Sequence, residues 1–374
     1  MIRTGALVVA PYCTDASSSW YSPGRNAKLN QVFQILCSSG LPLIILNTCP
    51  VLNGSPLKNE LQISRINAKF PRLISFLTLS RRRLPDQPYT IIWVYNSRVP
   101  EMILVWRLRQ LYPDMRLIVE LEDLPAARKA NASWRGLLDW FSTFWLVQRA
   151  SLVLCVSGEA ADSLQARIPI SPSRLQIFPP LLDNNFLSAV ERRQKSPFSR
   201  HFIRVLYAGG YSPEKGVDDL LWAFSSLDPS LYRLHLVGPV TDSIRLAARE
   251  MPNVYVHGVI ESNVLYTFYR LADVVVNPHR QILHGSHVFP FKSIEQAACG
   301  ALPLQSTALN TGVTKLPSPC LFANRKELLV ALYNSRQIWS DHQRQILQIS
   351  ESLRHRFGLK YFSTNFIASI NHLL

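Results

Sequence analysis

The chain has 374 residues, 47% hydrophobic, 10% aromatic and 17% charged. At about 150 residues per domain this length suggests two domains, and the composition excludes disorder, collagen and coiled coil. Forty lysines and arginines against 25 aspartates and glutamates give a formal charge of +15, which predicts polyanionic company such as nucleic acid, anionic lipid or phosphorylated ligands.

Along the chain, strand and helix signals alternate. The opening MIRTGALVVAPYC lacks the layout of a signal peptide and leads into a first core strand at 5–12. A helix follows at 28–40, with Leu29, Val32, Phe33 and Leu36 at helical spacing and Gly40 at its end. Strands are predicted at 41–47, 90–96, 116–122 and 151–157. Helices are predicted from Pro100 to before Pro113 and behind Gly158. Segment 175–201 loses the pattern and reads as a linker. A second alternation then begins with IRVLYAGG, and continues through YRLHLVG, NVYVHGV, DVVVNP and ALPLQS, each followed by a helical segment. The fold class expected is α/β: two tandem doubly wound Rossmann-like domains, with parallel sheets covered on both faces, facing across a cleft. The expected boundaries are 1–185, 186–358 and a C-terminal helix at 359–374 that packs back on the first domain. No stretch of about 18 residues is apolar and free of charge, so no transmembrane helix is expected. The six cysteines are scattered, with no CxxC pair, and read as buried reduced thiols in the cytoplasm.

Two segments hold the sharpest chemical signals. In YAGGYSPEKGVDDLLWAF (207–224) a strand ends, Gly209 and Gly210 allow close approach, and a helix opens beside Lys215. Free N–H groups, the helix dipole and an ammonium suit a phosphate there, although an ordinary turn with an exposed lysine has the same sequence. It is neither a Walker A loop nor GxGxxG. In ADVVVNPHRQILHGSHVFPFKSIEQAACGALPLQS (272–306) a strand runs into a loop with His279, Arg280, His284 and His287. A helix then presents Lys292 and Glu295 three residues apart. The pair is either a solvated ion pair or a cleft lining in which Glu295 accepts from ribose hydroxyls. The loop histidines have no carboxylate or cysteine at ligand spacing, so no metal is expected.

These segments, with VHGVIESNVLYTFYRLADVVVNP between them, resemble the C-terminal domain of family 4 glycosyltransferases, retaining enzymes of the GT-B architecture. The resemblance is clear over 203–306 and loose elsewhere. It implies that Lys215 holds the donor pyrophosphate, that Glu295 binds the donor ribose, and that the loop Gly258, Val259 and Ile260 contacts the base. Gly210 stands where the family often has arginine. His287 stands where the first Glu of its E-x7-E motif falls, while FPFK (289–292) matches a family variant that brings in Lys292. In the N-terminal half, SPGRNAKLNQ (22–31) corresponds to a glycine loop, with Gly24 and Lys28 as candidates. IVELEDLP (118–125) puts Glu122 and Asp123 where many members have a His-Asp pair. By strand alternation Glu120 and Glu122 share a face, opposite Asp123. Ligand binding and a helix N-terminal acidic cluster both fit those carboxylates.

The positive charge concentrates in two stretches. PRLISFLTLSRRR (71–83) is expected to form a helix that starts at Pro71 and ends in Arg81, Arg82 and Arg83, and is either core or a segment that binds membrane or acceptor. In 127–149 a stripe of Trp134, Leu137, Leu138, Phe141 and Trp145 lies among Arg128, Lys129, Arg135 and Arg149, and is either core or a membrane-facing surface. No nucleic-acid-binding pattern is present. The function expected is transfer of a hexosyl unit from a nucleotide-diphosphate sugar to a lipid-linked or polysaccharide acceptor, with retention. The expected enzyme has no cofactor beyond the donor and lies peripherally on the inner face of the membrane against anionic lipid. A nucleotide-sugar epimerase of the same fold and an inactive nucleotide-sugar or polyanion-binding protein are the alternatives.

Overall fold

The computed structural model describes residues 5–11, 23–41, 43–47, 62–64, 89–122, 124–125, 134–192, 197–280, 291–309 and 312–370. Its contacts divide the chain into two units. The described part of the first runs from Gly5 to Leu181 and again from Ser363 to Ile370. The second comprises Leu182 to Arg280 and Phe291 to Phe362.

In the first unit the apolar runs become strands β1 (Gly5–Ala10), β2 (Leu43–Asn47), β3 (Gln62–Ser64), β4 (Tyr89–Tyr95), β5 (Arg116–Leu121), β6 (Leu152–Cys155) and β7 (Leu175–Ile177). They form one parallel sheet in the order β3-β2-β1-β4-β5-β6-β7. Every residue of β1 is buried, as expected of a strand covered on both faces, and this is why its sequence runs apolar instead of alternating. Helices α1 (Pro23–Ser38), α2 (Val99–Leu111), α3 (Trp134–Arg149) and α4 (Gly158–Gln165) cover the sheet. Ser157 caps α4 by accepting from the Ala160 N–H at 3.1 Å, which leaves one fewer orphan donor. The segment read as a linker is instead structured from its start, because β7 pairs with β6 through Val153, Leu154 and Cys155. Its three residues are too few to show a period.

The second unit repeats the plan. Strands β8 (Ile203–Ala208), β9 (Tyr232–Val237), β10 (Val254–Gly258), β11 (Val274–Asn277), β12 (Leu302–Ser306) and β13 (Leu321–Phe322) form a parallel sheet in the order β10-β9-β8-β11-β12-β13. Around it lie α5 (Asn184–Glu191), α6 (Val217–Phe224), α7 (Asp242–Arg249), α8 (Ser262–Leu271), α9 (Phe291–Ala298), α10 (Arg325–Tyr333) and α11 (Ser335–Phe357). From Ser363 onward α12 (Leu359–Ile370) belongs to the first unit, where Phe366 packs against Phe178 at 4.9 Å and Trp93 at 6.1 Å between ring centroids. Each sheet reverses strand order once, between β1 and β4 and between β8 and β11. Crevices outside the carboxyl ends of strands at such reversals are where open α/β sheets take ligands. Among the described residues no helix is long and apolar enough to cross a membrane. Cys155, Cys299 and Cys320 are buried, whereas Cys37 is exposed, contrary to the reading of buried thiols.

Candidate functional site

The second unit gathers its polar side chains at the strand reversal. β8 ends at Ala208, the turn continues through Gly209 and Gly210, and a single 3-10 turn (Pro213–Lys215) delivers the chain to α6. Gly216 joins the two helices with φ +65°, and a Cβ there would lie 2.0 Å from the carbonyl oxygen of Pro278. Only glycine meets both demands, so the loop after β11 rests directly on the Lys215 turn. Gly238, at the end of β9, is a further close approach that the sequence reading missed: with φ +138°, its Cβ would fall 1.9 Å from the Gly209 carbonyl oxygen. At Gly210 a side chain would meet nothing within 4 Å. Gly258 ends β10, and its carbonyl accepts from the Gly238 N–H at 2.8 Å; Val259 beyond it is exposed and Ile260 half-buried.

The contacts of the 278–280 loop are dense. The Arg280 backbone N–H donates to the Glu214 carbonyl at 2.8 Å. Its guanidinium donates to Asp219 at 2.9 Å, Asp218 at 2.6 Å and the Pro213 carbonyl at 3.2 Å. His279, which sequence reasoning grouped with the other loop histidines as a weak metal signal, lies 3.0 Å from the Lys215 ammonium through Nε2. Its Nδ1 lies 2.7 Å from the Arg280 carbonyl. A cavity of about 390 Å³ opens beside this loop, lined by His279, Arg280, Asp219, Thr307, Asn324 and Arg325 among others. Among the described residues no group of three potential metal ligands occurs.

On the other side of β11, Asn277 donates to Ser293 of α9 at 3.1 Å and Gln296 donates to the Val276 carbonyl at 3.3 Å. These bonds fix the helix that presents Lys292 and Glu295. The two side chains form the ion pair that their spacing allows, at 2.6 Å, with Lys292 half exposed and Glu295 buried. The Tyr269 hydroxyl, 3.4 Å away, donates to the same carboxylate oxygen. Burial, reinforced by the neighbouring carboxylate, raises the Tyr269 hydroxyl pKa well above its ordinary value, so it remains a donor. His287 and the Phe289–Pro290 pair lie outside the described residues.

The first unit modifies the sequence reading more. Lys28 is not free to meet a ligand: it is buried, donates to the Phe178 and Pro179 carbonyls at 3.2 and 2.7 Å, and lies 3.6 Å from the Phe178 ring centroid. Glu120 faces it at 3.5 Å and accepts from the Trp93 indole at 2.8 Å. Glu120 therefore leaves the proposed carboxylate group at the strand end and becomes the counter-ion of a buried pair. Burial lowers the Lys28 pKa and raises that of Glu120, and each charge opposes the shift of the other. Glu122 is half-buried, and its backbone N–H donates to the Asn96 side chain at 3.0 Å. Asn96, at φ +62°, was not singled out from the sequence; the tolerance of asparagine for left-handed backbone was the available signal. Gly24 lies in the first turn of α1, and Asp123 lies outside the described residues.

The stripe of α3 is surface except at Trp145, which is half-buried and packs, like Trp140, against the core. Trp134, Leu137 and Phe141 are 66%, 72% and 56% exposed, and Leu138 and Phe144 are exposed beside them. Leu146 and Val147 face the core. Arg149 lies over Trp145 at 4.3 Å and Arg167 over Trp140 at 4.8 Å, each a cation on an aromatic face. Arg128 and Lys129, like the helix expected at 71–83 with Arg81, Arg82 and Arg83, lie outside the described residues, and nothing is described of the Arg135 side chain.

Residues 203–332 match the sequence profile of the family described as Glycosyl transferases group 1. No curated protein matches the sequence in a direct comparison. Among solved structures the fold is similar to a glycosyltransferase from Rickettsia africae, at 13% identity with a TM-score of 0.72, covering 99% of this chain and 98% of that one. A sucrose-phosphate synthase from Thermosynechococcus elongatus is similar at 17% identity and a TM-score of 0.71, covering 99% of both chains. The Anabaena protein HepE, in complex with UDP and glucose, is similar at 13% identity and a TM-score of 0.65, covering 99% of this chain and 100% of that one. The fold class is therefore that of the GT-B glycosyltransferases: α/β, with two tandem doubly wound Rossmann-like domains.

Proposed function

We propose that the protein is a retaining glycosyltransferase that moves a hexosyl unit from a nucleotide-diphosphate sugar to a lipid-linked or polysaccharide acceptor. The observation that supports this most is the Lys215 turn. A half-buried lysine stands at the opening of α6, at the carboxyl end of β8 and beside the strand reversal, inside the segment that matches the group 1 family. In this reading Lys215 and the first N–H groups of α6 stabilise negative charge as the diphosphate leaves. Glu295 accepts from the ribose hydroxyls, and Lys292 exchanges its carboxylate partner for phosphate. The base lies against Gly258, Val259 and Ile260, and the glycines at 209 and 210 let the sugar approach backbone. Glu122, Asp123, His287 and Gly24 are assigned to the acceptor and sugar side.

Lys215→Ala tests this reading. Losing one charge-assisted hydrogen bond costs about 1.5–3 kcal/mol. Calorimetry should therefore show UDP, ADP or GDP, whichever binds, weakened roughly 10- to 150-fold and the bare nucleoside unchanged. Equal losses for both would remove Lys215 from the diphosphate. Slow donor hydrolysis without acceptor would favour a transferase, sugar interconversion an epimerase, and tight binding without turnover an inactive binder.

The acceptor reading brings the protein to an anionic membrane surface. The exposed apolar face of α3, flanked by Arg149 and Arg167, suits the interface between head groups and acyl chains.

A further inference from the structure

We infer that His279 is a positioning residue: it holds the Lys215 ammonium from the side as a neutral hydrogen-bond acceptor and so keeps its charge available to a diphosphate. The inference rests on the reading of Lys215 given above. The tautomer follows from the partners. The Arg280 carbonyl can only accept, so the Nδ1 2.7 Å from it bears the proton. Nε2 is then a lone pair, and the group 3.0 Å away is an ammonium that can only donate. The ring is buried and its loop is bolted to the Lys215 turn by the Gly216–Pro278 approach and the Arg280–Glu214 bond, so neither partner moves without the other.

The choice of partner has a consequence. A carboxylate at this place would neutralise Lys215 and compete with phosphate. An imidazole lone pair orients the ammonium and leaves its full charge. Protonation reverses this, because Nε2 becomes a donor and two cations face each other. The charged groups around the ring are Lys215 and Glu214 on the turn and Arg280 beside it, with Asp219 of α6 and Arg325 of α10 lining the same cavity. Burial, aided by Lys215, holds the His279 pKa below the ordinary histidine value, against the Arg280 carbonyl and Glu214, which favour protonation. The neutral ring therefore persists through neutrality, and the acceptor is lost on the acid side.

The experiment is a mutant cycle read by calorimetry with UDP, ADP and GDP over pH 5 to 8 (roughly the histidine range), on Lys215→Ala, His279→Ala, His279→Gln and the Lys215→Ala/His279→Ala double variant. His279→Ala should lose about 3- to 10-fold in diphosphate affinity at neutral pH, and nothing further in the Lys215→Ala background. His279→Gln, whose side-chain oxygen reaches the position of Nε2 but does not titrate, should restore neutral-pH affinity and abolish the decline that His279 produces in acid. Side-chain NMR without ligand should show His279 as the Nδ1–H tautomer, with its pKa rising in Lys215→Ala. Additive losses in the double variant, an acid decline unchanged in His279→Gln, or the Nε2–H tautomer would each overturn the inference while leaving Lys215 on the diphosphate. No effect of Lys215→Ala would overturn both readings.

Discussion

At the residue scale, matched positions separate backbone conformation from space. Gly216 and Gly258 have almost the same dihedral, φ +65° and +70°, but only Gly216 has backbone where a Cβ would go. Gly258→Ala should cost about 1–3 kcal/mol for the left-handed backbone. Gly216→Ala should cost more, because the Pro278 strand end must move, and should also weaken diphosphate binding by shifting Lys215. Urea denaturation of the two variants checks the order, and equal costs would mean that the 278 loop yields freely. The buried Lys28–Glu120 pair gives the second contrast. Removing one partner leaves a charge without its counter-ion, so Lys28→Met should destabilise the first unit by about 3–5 kcal/mol. The Lys28→Met/Glu120→Gln double variant should recover part of that, as a thermal-melting comparison would show. The sequence identified Lys28 as a candidate but not its role. What decides that role is the carbonyls of 178 and 179, about 150 residues away along the chain.

At the element scale, edge strand β10 and its neighbour β9 contain a histidine pair that titration should expose. His235 Nδ1 and His257 Nε2 lie 3.0 Å apart, and both rings lie against Phe268 of α8. Burial first, then the charges of His257, Arg204 and Arg233, push the His235 pKa down to about 4. The unfolded chain thus binds more protons between the ordinary histidine value and pH 4. Stability contributed by the neutral ring is full above that window and is lost as pH falls through it. The melting temperature should drop more steeply from pH 7 to pH 4.5 in the wild type than in His235→Gln, and parallel slopes would refute the assignment. Inner strands such as β1, β6 and β11 were legible from sequence as apolar runs because both faces are buried, whereas edge strand β10 exposes Tyr255 and His257. The short β7 and β13, with three and two residues, were not, since their pairing depends on a neighbouring edge and not on their own pattern.

At the scale of the whole molecule, the charge of +15 and the exposed face of α3 lead to the same experiment. The protein should sediment with phosphatidylglycerol vesicles, and less so at high salt. Replacing Leu137 and Phe141 with serine removes two side chains each worth about 1.5–3 kcal/mol on burial, so partitioning should fall by at least roughly 100-fold. Donor binding should be untouched, because Lys215 and Glu295 belong to the other unit. Undiminished sedimentation of the double variant would show that α3 is not the surface that meets lipid.

The α/β class, the two-domain count, the positions of the long strands, and the glycine turn with Lys215 at the opening of a helix can all be read from the chain's local pattern. These features follow from local rules: apolar runs buried on both faces, glycine where backbone crowds, and free N–H groups where a helix starts. Tertiary structure alone decided the rest. Helical spacing is the same for a core stripe and a surface stripe, so only the packed fold exposes Trp134, Leu137 and Phe141. Strand alternation puts Glu120 and Glu122 on one face, yet β5 ends at Leu121, so burial made Glu120 the partner of Lys28 and left Glu122, just past the strand, half-exposed. His279 and Lys215 are 64 residues apart, and their meeting depends on β8 and β11 lying side by side at the strand reversal, a pairing that no local pattern encodes.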